Sequence, residues 1–181
     1  MILVRHGESE FNVVFSRTRV DPGIHDPELT PTGRHQAAQA AVALAGYGIE
    51  RVLSSPYTRA LQTAEIVAGG LGVSVEVEPL VRERGFFACD IGTAASDLAR
   101  TWPHHDFGHL DEIWWQEDES EDAVADRCRR FHEAVVDHRD WPRLAVVAHW
   151  GFIRALTGLE LSNGEFVTHG HAPVAQPADP C

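Results

Sequence analysis

Lysine is missing from this chain of 181 residues; all 15 of its basic side chains are arginine. Without lysine there is no Schiff-base chemistry and no Walker-type phosphate loop. Long apolar runs are also missing, so no membrane span is expected. No signal peptide fits at the start, because strand-like sequence opens at Met1. Cysteine is scarce. Cys89, Cys128 and Cys181 are odd in number and form no Cys-x-x-Cys pair, which predicts reduced thiols in a cytoplasmic protein rather than a disulfide framework. Positive charge is scarce as well, 15 basic residues against 27 acidic, for a net charge of −12. That balance excludes nucleic acid as a partner, since backbone phosphates need a basic surface. It does not exclude a small phosphorylated substrate, which two or three arginines can grip inside an acidic protein.

What is present is an alternation of strand-like and helix-like segments. Met1-Ile2-Leu3-Val4 reads as a buried first strand. A polar stretch rich in proline and aspartate follows, up to Thr30-Pro31, which opens a helix running to Gly46. Arg51-Val52-Leu53-Ser54 reads as a second strand, and Ser55-Pro56 as the start of a helix whose end Gly69-Gly70 loosens. Val73–Val77 alternates as a third strand, near an edge. Residues 83 to 119 lack periodicity and predict an excursion with one short helix. Ser120 caps a long helix with Val124, Cys128, Phe131 and Val135 on its buried stripe. Leu144–Ala148 is a further buried strand, a helix follows from Gly151 to Leu156, and Glu165-Phe166-Val167 adds a last strand. The expected fold is α/β, a three-layer α/β/α sandwich around a mainly parallel sheet. It forms a single domain over residues 1–171, with a flexible tail at 172–181.

In parallel sheets ligands bind beyond the carboxyl ends of the strands. Arg5 and His6 follow the first strand, Arg59 lies on the opening turns of the helix after the second, Glu83 follows the third, and His149 closes the strand ending at Ala148. Two guanidiniums, two imidazoles and a carboxyl group thus converge on one cleft. Arginine forks suit a phosphoryl group, and a protonated His149 adds a donor. Neutral His6 is a nucleophile that needs no metal or lysine, and Glu83 is the available acid for the leaving group.

These residues sit in longer blocks. Arg5-His6-Gly7-Glu8-Ser9 with Asn12 resembles the signature of the histidine phosphatase superfamily, also called the phosphoglycerate mutase-like family. Asp26-Pro27-Glu28-Leu29-Thr30 with Gly33 and Gln36-Ala37 resembles its next block. So do Ser54-Ser55-Pro56 through Arg59-Ala60 and Gln62-Thr63-Ala64, Val81-Arg82-Glu83, Glu119-Ser120 with Arg127, and Val146–His149. The resemblance spans about residues 1 to 160, in the family's order. It implies phosphomonoester hydrolysis through phosphohistidine: catalytic His6, Glu83 and His149, phosphate held by Arg5 and Arg59, Asn12 lining the pocket, and no cofactor or metal. A phosphoglycerate mutase is the alternative, although mutases of this family are typically longer; a silent phospho-ligand-binding module is the third reading.

The chain departs from the family pattern at two places. Trp150 stands where glycine usually follows the second histidine, and a bulky side chain there is expected to narrow or redirect the pocket mouth. Residues 84 to 90 lack the family's glycine–tryptophan–glycine spacing. Arg82 and Arg84 flank Glu83, and a nearby cation favours its ionised form; Glu8 is a weaker alternative acid. Blander expectations stand beside these. The acidic run from Glu117 to Asp122 reads as a solvated helix start, and Arg17 and Arg19 as surface residues or a grip on a second anion. Trp102, Trp114 and Trp115 either wall the cleft or pack the excursion onto the sheet. His104, His105 and His109, and likewise His169 with His171, show no ligand spacing with acidic or cysteine partners, so solvated loops are the simpler reading.

Overall fold

The computed structural model describes residues 1–136 and 141–170; the expected tail at 172–181, and His171, lie outside these. Five strands, β1 (Ile2–Arg5), β2 (Arg51–Ser54), β3 (Val75–Val77), β4 (Leu144–Ala148) and β5 (Phe166–Thr168), form one sheet in the order β3-β2-β4-β1-β5. All neighbours pair in parallel except β5, which runs antiparallel to β1 at the edge. Side chains alternate across the sheet, as strand geometry demands. Ile2, Val4, Val52, Ala145 and Val147 point to one face, where α2 (Pro31–Leu44) and α3 (Thr58–Leu71) cover them. Leu3, Leu53, Val146 and Ala148 point to the other, covered by α5 (Glu121–Val136) and α6 (Trp150–Thr157). The three-layer sandwich is therefore present, and β4, buried at every residue, is its centre.

Helix α2 starts as expected, with Pro31 at its first position and the Thr30 hydroxyl accepting from Gly33 N–H. Helix α3 does not start at Ser55-Pro56. It begins at Thr58, because the Asp26 carboxylate, reaching over from the second motif block, accepts from both the N–H and the hydroxyl of Thr58. Nor does Gly69-Gly70 loosen its end. The helix runs on to Leu71 and stops at Gly72, whose φ of 72° is left-handed. Gly70 instead marks a close approach, since a Cβ there would strike the Ala41 methyl of α2.

One helix has no counterpart in the sequence reading. Helix α1 (Glu10–Thr18) occupies the start of the stretch read only as polar. Ser9 and Asn12 form a capping box at its head, and Phe11 and Phe15 stack at 5.2 Å one turn apart. The excursion after β3 carries one short helix, α4 (Ala95–Thr101). Its tryptophans pack rather than stand free: Trp114 is buried, meets Tyr57 edge-on at 4.6 Å and donates to the Thr93 carbonyl.

The acidic run is not all solvated. Glu119 is buried, and its carboxylate accepts from Arg127 Nε at 3.0 Å, Arg127 Nη2 at 2.6 Å and Arg82 Nη2 at 3.2 Å. Arg127 also donates to the carbonyls of Leu80 and Arg82, so this ion cluster pins the chain leading into Glu83 against α5. Arg17 and Arg19 lie at the exposed end of α1, Arg17 bonded back to the Val13 carbonyl.

Candidate active site

Strand register brings the two histidines together. Arg5 pairs with Ala148 across β1 and β4, so the next residues, His6 and His149, emerge side by side with ring centroids 5.1 Å apart. On the other flank of β4, Ser54 pairs with Val147, and just beyond that pair His149 Nε2 lies 2.8 Å from the Ser55 hydroxyl.

The loop from His6 to Ser9 is clamped from several sides. Gly7 N–H donates to the Thr63 hydroxyl of α3, and Glu8 N–H to the Gln36 side chain of α2. Gly7 and Gly33 are in backbone contact; a Cβ on Gly7 would overlap the Gly33 carbonyl, and one on Gly33 the Glu8 carbonyl. Asn163, which no sequence signal singled out, donates to the His6 carbonyl at 3.1 Å and to Asn12 Oδ1 at 3.2 Å. Asn12 is thus beside the loop, its carbonyl oxygen spent on Ser9 and Asn163. The alternative acid Glu8 accepts from the Thr30 hydroxyl and serves the head of α2.

His6 is buried, with Nδ1 2.7 Å from the Gly7 carbonyl. A carbonyl only accepts, so Nδ1 carries the proton and Nε2 keeps its lone pair. Burial, then the cations Arg59 and Arg5, push the His6 pKa well below its usual value. The imidazole is neutral at neutral pH. His149 is lowered well below the usual value too, by burial first and then by Arg59 and His6. This lowering works against the protonated form of His149. A neutral ring still offers one donor: when Ser55 O–H donates to Nε2, Nδ1 bears the hydrogen, and this buried Nδ1 finds no hydrogen-bond partner among the described residues.

Arg5 donates through Nη1 to the Leu161 carbonyl at 2.6 Å, while its buried Nε finds no partner among the described residues. Arg59 is buried, its guanidinium 4.4 Å from the Tyr57 ring centroid. Two of its donors are spent, one on the Cys89 carbonyl at 2.8 Å and one on Asp90 Oδ1 at 3.1 Å. Asp90 escaped the sequence reading. Its other oxygen accepts from the N–H groups of Phe86 and Phe87, so it folds the loop after Glu83 around Arg59. The only signal was its place in the segment lacking the family's spacing.

Glu83 is half-buried, and its oxygens accept from Arg84 N–H at 2.8 Å and Gly151 N–H at 3.1 Å. Its flanking cations do not favour ionisation as expected. Arg82 turns to Glu119, and Arg84 to the Glu119 carbonyl and Glu121. Burial, then Asp90, raise the Glu83 pKa above the usual carboxylate value, against the pull of the two backbone bonds and Arg59. Trp150 has its ring 5.1 Å from the Arg154 guanidinium, one turn along α6.

A neutral imidazole, a carboxyl group of raised pKa and two guanidiniums thus lie at the carboxyl edge of the parallel strands, the groups that phosphoryl transfer through histidine calls for. The family profile of the histidine phosphatase superfamily (branch 1) matches residues 1–174, and the chain belongs to that superfamily. It is 31% identical to a glucosyl-3-phosphoglycerate phosphatase of Mycolicibacterium vanbaalenii over 182 residues, covering 90% of this chain and 76% of that one. It is 26% identical to a 2,3-bisphosphoglycerate-dependent phosphoglycerate mutase of Cytophaga hutchinsonii over 180 residues, 93% of this chain and 81% of the other. In fold it matches the structure of mycobacterial glucosyl-3-phosphoglycerate phosphatase with VO3 at a TM-score of 0.65, with 24% identity, over 92% of this chain and 88% of that one.

Proposed function

We propose that this protein hydrolyses a small phosphate monoester through a phosphohistidine on His6. The observation that carries the reading is the bond from His6 Nδ1 to the Gly7 carbonyl, which leaves Nε2 as the free lone pair. In the first step Nε2 attacks phosphorus in line, the P–N bond forms and the ester P–O bond breaks. The leaving oxygen takes the proton of Glu83, whose raised pKa suits a general acid. Phosphorylation makes the ring cationic, and the Gly7 carbonyl stabilises the proton left on Nδ1. Arg5, Arg59 and the Nδ1 hydrogen of His149 hold the equatorial oxygens. In the second step water attacks phosphorus, ionised Glu83 takes its proton, and His6 departs neutral with inorganic phosphate released. The two guanidiniums and the imidazole donor supply the charge stabilisation, so the chemistry asks for no metal.

The phosphatase relative, at 31% identity, supports hydrolysis of a small phosphorylated substrate. The mutase relative favours a second reading, in which the phosphoenzyme returns its phosphate to a phosphoglycerate. Turnover of p-nitrophenyl phosphate in the presence of a chelator tests the first reading, and interconversion of 3- and 2-phosphoglycerate the second. Neither activity would leave a silent phospho-ligand module. No helix among the described residues is long and apolar enough to cross a membrane. The buried free thiols of Cys89 and Cys128 favour the cytoplasm.

A further inference from the structure

The histidines of the excursion acquire an acidic partner from elsewhere in the chain. Glu65 lies on α3, six residues beyond Arg59 and so about 9 Å further along the helix. Its Oε1 contacts His104 Nε2 and lies 3.4 Å from His105 Nε2. The two rings come from one tight turn, closed by His105 N–H on the Trp102 carbonyl, and their centroids are 4.3 Å apart. The carboxylate oxygen and both ring nitrogens all lie within 4.8 Å of one another.

We propose that Glu65, His104 and His105 bind a divalent transition-metal ion of the zinc type, at a site separate from the phosphate pocket. The independent observation is His105. Its side chain is only 6% exposed, and its Nε2 is buried and without a hydrogen-bond partner among the described residues, yet aimed at the other two groups. At 3.4 Å from the Glu65 oxygen this nitrogen has an ion-pair contact but no well-formed hydrogen bond, and a metal ion is a partner that satisfies two nitrogens and a carboxylate together. The donor set is that of a three-ligand zinc site with water in the fourth position. Tetrahedral ligands about 2.0–2.2 Å from zinc stand about 3.4 Å apart, so donors already within 4.8 Å of one another have little further to close on an ion. His104, 57% exposed, leaves a route from solvent. The spacing rule missed this site because Glu65 is 39 residues before His104. An ion there ties the excursion to the helix that carries Arg59.

Zn2+ titrated into the chelator-stripped full chain is expected to bind one equivalent by calorimetry, and Co2+ to give the intense visible bands of a tetrahedral site. Binding is expected to be lost in Glu65→Gln and His105→Ala. His104→Ala, at an exposed position, is the variant whose folding is safe, and it is expected to weaken binding at least tenfold. His132→Ala removes one ring of a histidine pair elsewhere in the fold, His132 with His169, and is expected to leave binding intact. No Zn2+ binding, or binding unchanged in His104→Ala and lost in His132→Ala, overturns the proposal. None of these readouts depends on phosphatase turnover.

Discussion

The backbone N–H of Gly151 donates to Glu83 Oε2 at 3.1 Å, and a Cβ at Gly151 would overlap Glu83 Oε1, so any larger residue there must push that carboxylate aside. The first residue of α6 is the bulky Trp150, but the second is bare, and the proposed acid rests on it. Gly151→Ala is therefore expected to displace the carboxylate, the flexible partner in the clash, rather than unfold the helix. Hydrolysis of alkyl phosphates should fall by about 10- to 100-fold, within the usual worth of general acid catalysis. Steady-state kinetics on a variant with an unchanged melting temperature checks this; an unchanged rate would detach Glu83 from the chemistry.

Glu83→Gln removes the proton that the leaving group needs. Esters with poor leaving groups should slow by about 10²–10⁴-fold and p-nitrophenyl phosphate far less. In the parent protein, alkyl ester hydrolysis should decline at high pH as Glu83 ionises, and at low pH as His6 gains a proton. The high-pH limb should vanish in the variant. Equal losses on both ester types would put the acid elsewhere.

Glu119 is the common acceptor for Arg127 and Arg82. Glu119→Ala leaves Arg127 buried without its partner, at a cost of about 3–5 kcal/mol. Urea unfolding should register a loss of this size, and a loss below 1 kcal/mol would mean the cluster is solvated after all.

His6 and His149 both have folded pKa values well below the ordinary one. The unfolded chain therefore binds more protons as the pH falls through about 6.5, and folding stability drops with it. Glu83, whose folded pKa is raised, works in the opposite direction. His149→Gln should flatten the acid side of the stability profile. The check is the melting temperature of both proteins from pH 7.5 to 5; parallel curves would show that His149 is not held neutral.

The fold was legible where strand and helix periods were clean, as in β4 and in α2 with Thr30-Pro31 at its head. Helix α1 was missed because Val13, Val14 and Thr18 dilute its helical character, although Ser9 with Asn12 and the Phe11–Phe15 spacing were readable. The site was legible in its strand-end residues, since register alone sets His6 beside His149. The work of its supports was not, although Ser55 and Glu119 with Arg127 stood in the motif blocks. Asp90, Ser55, Asn163 and Glu119 act through partners distant in sequence, and nothing local marks a carboxylate as the one that turns toward Arg59. The flanking charges of Glu83 misled for the same reason: adjacency along the chain did not tell where Arg82 and Arg84 would point.

The most direct test of the account is to trap the covalent intermediate. Alkaline quenching during turnover of a phosphate monoester, followed by peptide mass spectrometry without acid steps, should find an acid-labile, base-stable phosphate on His6. The adduct should be absent from His6→Ala. Phosphate on another residue, or an adduct persisting in His6→Ala, would contradict the assignment of His6 as the nucleophile.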